Sequence, residues 1–217
     1  MKKLLPSFCV CLSLCFLLAG CGGAPEVTQI RGASQAVEDK LLEAFSSPGE
    51  DAAAALLDLK ESDLVETKGD ETVSYKTYLA PYSWCGIKLD TKLSFGYGMV
   101  GNITANTVFP GGDEKELQDV CRACFDLFQA QFGAPFSYLL ESGQGGTNME
   151  YPKGGADTVF QDFWESAQKQ LVFRFSLNGE QNSAEWIEYR IQKNGDYPAG
   201  GVELHFSLVR DVLLQKQ

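Results

Sequence analysis

Histidine is almost absent from this sequence, since His205 is the only one among 217 residues. It alternates with Leu204 and Phe206 on a predicted strand, and no nucleophile or acid stands at a useful spacing from it. Five glycine pairs occur, but none has the spacing of a phosphate-binding loop. No calcium-loop or zinc-ligand pattern is present either. The sequence therefore predicts a non-enzymatic protein without a metal site or cofactor.

Basic residues are also few. Lys and Arg number 18 against 29 Asp and Glu, which gives a net charge of −11. Nucleic acid and anionic lipid headgroups repel such a chain, so neither is expected as a direct partner. Only one long apolar run occurs, Phe8 to Leu18, interrupted by Ser13 alone. The rest of the chain is therefore predicted to be soluble.

The first twenty-one residues have the layout of a secretory signal. Lys2 and Lys3 precede the apolar run, and small residues follow it before Cys21. The quartet Leu18-Ala19-Gly20-Cys21 resembles the lipobox of bacterial lipoproteins. In that family the cysteine thiol receives a diacylglyceryl group, and cleavage between Gly20 and Cys21 then makes the cysteine the N-terminus. The alternatives are a transmembrane anchor over residues 4–20 and an ordinary cleaved signal that releases the protein.

This resemblance implies a protein tethered to the extracytoplasmic face of the cell membrane through Cys21. Two acyl chains hold a protein stably at a bilayer, whereas one chain does so only marginally. Loss of Lys2 and Lys3 with the signal takes the net charge from −11 to −13. The predicted organisation is a signal peptide over 1–20, the lipidated cysteine with a flexible spacer over 21–32, and a single domain over 33–217.

Seven cysteines at first suggest a disulfide framework. Three of them would leave with the signal and a fourth would carry the lipid, so an odd number remains. Cys85 could pair with either Cys121 or Cys124 in an oxidising compartment. The four cysteines outside the domain are Cys9, Cys11, Cys15 and Cys21.

Cys121 and Cys124 form the one pattern typical of catalysis. Both fall in the third turn of a predicted helix over Asp113 to Phe132, on its apolar stripe. A redox CxxC places its first thiol at a helix N-terminus, where the helix dipole lowers the thiol pKa, and that effect fades within one turn. The pair is therefore interpreted as two small buried hydrophobes, with redox or metal use as the alternative.

Two short helices precede the first strand. Ser34 can cap a helix that carries Val37, Leu41 and Phe45 at helical spacing. Residues 47–50, Ser-Pro-Gly-Glu, have the pattern of a capping box and predict a second helix after them.

Alternating apolar residues then predict strands. The clearest runs from Ile87 to Phe95, and a Gly-Tyr-Gly turn connects it to the next. Residues 141–157, with five glycines, are predicted to be a loop or an insertion. The fold class is α+β, an antiparallel sheet of about six or seven strands with the long helix on one face. Over roughly residues 65–195 this order resembles α+β modules of uncharacterised bacterial envelope lipoproteins, a resemblance that carries no catalytic residues.

Exposed aromatic residues are the remaining candidates for a binding surface. Tyr82 and Trp84 follow Pro81 in a predicted connection between strands, where they could anchor a protein or stack on a sugar ring. The sequence thus favours an envelope lipoprotein that binds another envelope protein or a cell-wall component. A small-ligand or glycan-binding lipoprotein is the alternative, followed by an unrecognised hydrolase or thiol oxidoreductase.

Overall fold

The computed structural model describes residues 25–69, 74–141, 146–179 and 184–210. The predicted signal peptide and the predicted lipid site at Cys21 lie outside these ranges. In chain order the elements are α1 (Pro25–Gly32), α2 (Asp39–Phe45), α3 (Glu50–Leu56), a 3₁₀ turn (Glu61–Asp63), β1 (Leu64–Gly69), β2 (Ser74–Trp84), β3 (Ile87–Gly96), β4 (Met99–Phe109), α4 (Glu114–Phe132), β5 (Ser137–Glu141), β6 (Gly146–Glu150), α5 (Ala156–Glu165), β7 (Gln170–Ser176), β8 (Glu185–Lys193) and β9 (Val202–Arg210).

The strands form one antiparallel sheet in the order β1-β2-β3-β4-β9-β8-β7-β5-β6. The α+β class and the antiparallel sheet are confirmed, but the described sheet has nine strands rather than six or seven. The two unpredicted strands, β1 and β6, are its edges. Almost every residue of β1 is exposed, so β1 has no apolar alternation that could reveal it in the sequence.

Helix α4 is confirmed almost residue for residue. Asp113 caps it, with a side-chain oxygen accepting a hydrogen bond from the Glu116 N–H at 2.9 Å, and Gly133 ends it with a φ of 81°. The inner side of α4 contacts the sheet, where the Tyr189 hydroxyl donates to the Cys121 carbonyl at 2.9 Å. The long helix therefore packs on one face of the sheet, as the apolar stripe predicts.

The first predicted helix begins later than Ser34 suggests. Gln131 of α4 accepts hydrogen bonds from the N–H groups of Ala36 and Val37, and Val37 pairs with Trp84 as an isolated β-bridge. Val37 is therefore a bridge residue and Ala36 lies in a bend, and α2 starts only at Asp39. A side chain ninety-four positions away decides the boundary, which local spacing could not predict.

The predicted capping box at residues 47–50 is also wrong. Gly49 is the N-cap of α3 and makes no side-chain cap, while the Ser47 hydroxyl donates back to the Glu43 carbonyl. The flexible spacer predicted over 21–32 is corrected as well, because residues 25–32 form α1. Val27 and Ile30 of α1 are buried in the core. Three short α-helices therefore precede the sheet, where two were predicted.

The glycine-rich stretch over 141–157 contains strand β6 and leads into α5, so the prediction of a loose segment is wrong for both. Val159, Phe160 and Phe163 of α5 are buried, and the Phe160 ring lies 5.5 Å from that of Phe173 on β7. Helix α5 was not predicted, although Val159, Phe160 and Phe163 stand at helical spacing, because the glycines before it indicated a loop.

All five described α-helices pack on the same face of the sheet. Helix α4 contacts that face through Cys121, and α5 does so through Phe160. The end of α3 contacts it through Leu57 and α2 through Phe45, while α1 contributes Val27 and Ile30 to the same core. The helices and this face enclose the hydrophobic core. None of the described helices is long and apolar enough to cross a lipid bilayer.

Candidate functional site

Tyr82 and Trp84 do not form a binding surface, because both are buried inside strand β2. The Trp84 side chain is 0% exposed, stacks on Phe206 and donates a hydrogen bond to Thr91 at 3.0 Å. The Tyr82 hydroxyl donates to the Leu57 carbonyl at 2.9 Å, and burial raises the pKa of Tyr82 to about 12. The prediction failed because Pro81 indicated a connection, whereas here it occupies an edge section of β2.

Cys121 and Cys124 are buried on the inner side of α4, as their place on the apolar stripe predicts. Burial raises the pKa of the Cys121 thiol well above its usual value, which keeps it protonated and unreactive. No group of three or more metal-ligating side chains occurs among the described residues.

The opposite face of the sheet has a different character. Cross-strand pairs place Asn106 of β4 beside His205 of β9, and His205 beside Arg190 of β8. The neighbouring row pairs Glu188 with Arg174. None of the five described α-helices packs on these side chains. We call this surface the uncovered face and define it by Asn106, Arg174, Glu188, Arg190, Glu203 and His205.

Glu188 is the centre of a charged cluster on the uncovered face. Its side chain is only 12% exposed, and its two oxygens lie 3.5 Å from Arg174 Nε and 3.6 Å from Arg190. The Trp186 indole N–H also donates to this carboxylate at 3.3 Å, while the Arg174 guanidinium lies over the Trp186 ring. Glu188 thus accepts one hydrogen bond, from Trp186, and forms ion pairs with both arginines, while Arg174 Nε is buried without a hydrogen-bond partner among the described residues.

His205 lies beside this cluster, on the non-core side of β9 as predicted. Its Nε2 is 3.4 Å from Glu203 Oε1, and Glu203 in turn accepts a hydrogen bond from Asn106 at 2.7 Å. Nε2 itself makes no hydrogen bond of good geometry within the described part of the chain. Burial, more than any other cause, lowers the pKa of His205; Arg190 lowers it further, and Glu203 opposes the shift. The ring is therefore neutral at neutral pH.

One depression opens on the uncovered face, and a second lies at the edge of the sheet next to it. The central one has a volume of about 280 Å³, and Asn106, Glu188, Arg190, His205 and Ser207 are among its walls. The other, of about 650 Å³, lies toward β5 and β6 and includes Arg174 and Asn148. Arg174 lines the larger depression and Glu188 the central one, and the two residues form an ion pair, so the depressions are neighbours.

The lowered pKa of His205 predicts a pH-dependent stability. At a pH between the folded value and the ordinary value of 6.5, the unfolded chain binds a proton that the folded chain rejects. Stability should therefore be lost as the pH falls from about 7.5 to about 5.5, and His205→Gln should flatten this loss. Chemical denaturation at several pH values measures it. The chain has no second histidine, so equal slopes for both proteins would contradict the assignment.

Comparison with known proteins returned no similarity: no protein-family model, curated protein or solved structure matches this chain.

Proposed function

We propose that this protein is a lipid-anchored, extracytoplasmic binding protein without enzymatic activity, and that its uncovered face docks another envelope protein. The N-terminal signal and Cys21 support the anchoring. The main support for a binding role is the half-buried charged cluster around Glu188. It lies on the face of the sheet on which none of the described helices packs. Arginine and tryptophan are enriched among the residues that contribute most to protein–protein binding, and Arg174, Arg190 and Trp186 stand together in this cluster.

Charge favours a protein partner at this face. On β4, β7, β8 and β9 the uncovered face has two arginines and two glutamates and a neutral His205, so its formal charges cancel. The whole chain has a net charge of −11, which repels acidic partners elsewhere on the surface. Arg174 and Arg190 form ion pairs with Glu188, and Arg174 Nε, which is buried without a hydrogen-bond partner among the described residues, is a donor that a partner could satisfy.

Site-specific photo-crosslinking on intact cells tests this proposal. A photo-crosslinking amino acid in place of Ser207, which lines the central depression, should give one dominant protein adduct. Arg190→Glu should reduce the adduct about tenfold or more, because it places a carboxylate beside Glu188 and removes a donor. Electrophoresis with mass spectrometry of the adduct gives the yield and the identity of the partner.

Lys115 supplies the matched control. Its ammonium group is on α4 in the helix layer, and its side chain is 82% exposed. Lys115→Glu makes the same change in net charge as Arg190→Glu and should leave the adduct unchanged. A crosslinker at position 115 should not give the same adduct. Equal yields from both positions, or an adduct insensitive to Arg190→Glu, would contradict docking at the uncovered face.

A glycan or another small polar ligand is the second candidate, favoured by the unpaired His205 Nε2 in the central depression. The Trp186 ring is a poor stacking platform, however, because the Arg174 guanidinium lies 5.7 Å from its centroid. A soluble cell-wall oligosaccharide that raises the melting temperature, together with no protein adduct at Ser207, would favour this candidate over the first.

A further inference from the structure

Cys85 lies at the tight turn between β2 and β3 and is completely buried. Its backbone has a positive φ of 48°, and its N–H donates to the Ala36 carbonyl at 2.7 Å. Ala36 is in turn held by Gln131 of α4 at 2.8 Å. The turn that carries Cys85 is therefore fixed against α4 through backbone and side-chain hydrogen bonds.

Cys124 projects from that same helix, two turns before Gln131, and is also completely buried. The rings of Trp84 and Phe128 both stack on the Phe206 ring, with centroid distances of 5.6 and 5.9 Å. Trp84 precedes Cys85 in the chain, and Phe128 lies one helical turn after Cys124, so both cysteines flank the same group of rings. Burial raises the pKa of the Cys85 thiol well above its usual value and the neighbouring Cys124 thiol raises it further, whereas Cys121 has no such effect on it. The sequence left Cys121 and Cys124 open as partners of Cys85. The fold places Cys124 next to Cys85.

We propose that Cys85 and Cys124 become a disulfide when the chain folds in an oxidising extracytoplasmic compartment, while Cys121 stays a free thiol. This inference rests on the export that the proposed function includes. All three cysteines of the described ranges are thiols in the structure, so the bond is an oxidation product of the fold described here. It would join the β2–β3 turn to α4 across the core.

The oxidant is the disulfide of a thiol–disulfide oxidoreductase or of oxidised glutathione. One cysteine thiolate attacks that disulfide and forms a mixed disulfide, and the second thiolate then displaces the oxidant as its thiol. Two electrons and two protons leave the pair, and the oxidant becomes a dithiol or two thiols. Because both sulfurs are buried in the folded protein, the exchange takes place while the chain is still folding, and burial afterwards protects the bond.

Peptide mapping of refolded protein tests the pairing. Full-length chain with serine at the four N-terminal cysteines is refolded with oxidised glutathione, denatured, alkylated and digested with trypsin. Cleavage after Arg122 separates Cys121 from Cys124, so mass spectrometry distinguishes the two partners. The expected result is a crosslinked Cys85–Cys124 peptide and an alkylated Cys121. A Cys85–Cys121 peptide, or full alkylation of all three, would overturn the proposal.

Variants and a melting curve provide the controls. Cys121→Ala should retain the crosslink, whereas Cys124→Ala should abolish it without transferring it to Cys121. The bond closes a loop of about 40 residues, so the oxidised protein should melt about 5–10 °C above the reduced protein. A mapped crosslink with a melting temperature below that of the reduced protein would contradict a disulfide that forms in the fold described here.

The same peptide mapping, applied to protein isolated from cells, distinguishes failure of this inference from failure of the proposed function. A crosslink that occurs both in vitro and in cells supports the pairing and export together. A crosslink that occurs in vitro while the cellular protein keeps all its thiols reduced leaves the pairing intact and counts against export. Absence of the crosslink in vitro counts against the pairing alone.

Discussion

Replacing Phe128 with alanine should lower the free energy of unfolding by about 3–5 kcal/mol, the largest loss that we expect from one side chain here. Phe128 is completely buried on α4, and its ring stacks on Phe175, Tyr189 and Phe206 at centroid distances of 5.6, 5.3 and 5.9 Å. These rings come from β7, β8 and β9, so a cavity at this position removes contacts with three neighbouring strands at once. Urea unfolding, monitored by circular dichroism, measures the loss.

Val108→Ala is the control for this experiment. Val108 is on the non-helix side of β4 and is 55% exposed, so its truncation should change the free energy of unfolding by less than about 0.5 kcal/mol. A loss below about 1 kcal/mol for Phe128→Ala would show that α4 does not pack on the sheet as described.

Replacing Cys21 with alanine should reduce incorporation of a labelled fatty acid to background, because the proposed lipid attaches to its thiol. The variant should accumulate as a precursor that retains residues 1–20, which intact-mass spectrometry detects. The loss is expected to be complete, since two acyl chains supply the whole of the stable membrane attachment in this proposal.

Cys15→Ala is the matched control, because Cys15 lies in the apolar run of the predicted signal and is not the predicted acceptor. That variant should be labelled and processed normally. Normal labelling of Cys21→Ala would contradict lipidation at this residue, and equal loss in both variants would indicate a defect in export instead.

Helix α4 shows what could be predicted from the sequence. Its cap at Asp113, its stop at Gly133 and its buried stripe are local signals that agree with one another. The central strands were equally legible, because one side of each is buried and the other is wet, as the alternation from Ile87 to Phe95 illustrates.

The misses have a common physical origin in contacts between distant residues. Edge strand β1 buries little, so no hydrophobic period marks it. Val37 is extended because Gln131 and Trp84, far away in the chain, pair with its backbone. Tyr82 and Trp84 were predicted to be exposed for the same reason, since a local pattern cannot reveal which elements cover a strand.

The uncovered face could be predicted only in part. Alternation places His205, Glu203 and Arg190 on the non-core sides of their strands, and that much is legible. The pairing of β4 with β9 brings Asn106 beside His205, although more than ninety residues separate the two strands, and no sequence pattern reveals it. The cluster around Glu188 lies on the neighbouring strands β7 and β8, but alternation does not show which of its side chains contact one another.

Helix α1 begins at Pro25, only four residues after Cys21. A fully extended chain spans at most about 3.6 Å per residue, so the four residues from Cys21 to Pro25 span about 14 Å at most. A spacer extending to residue 32 would have reached about 40 Å. With the lipid on Cys21, the domain is held within little more than a helix diameter of the bilayer surface. On the proposed anchoring, the domain would therefore bind only partners that lie within this distance of the membrane.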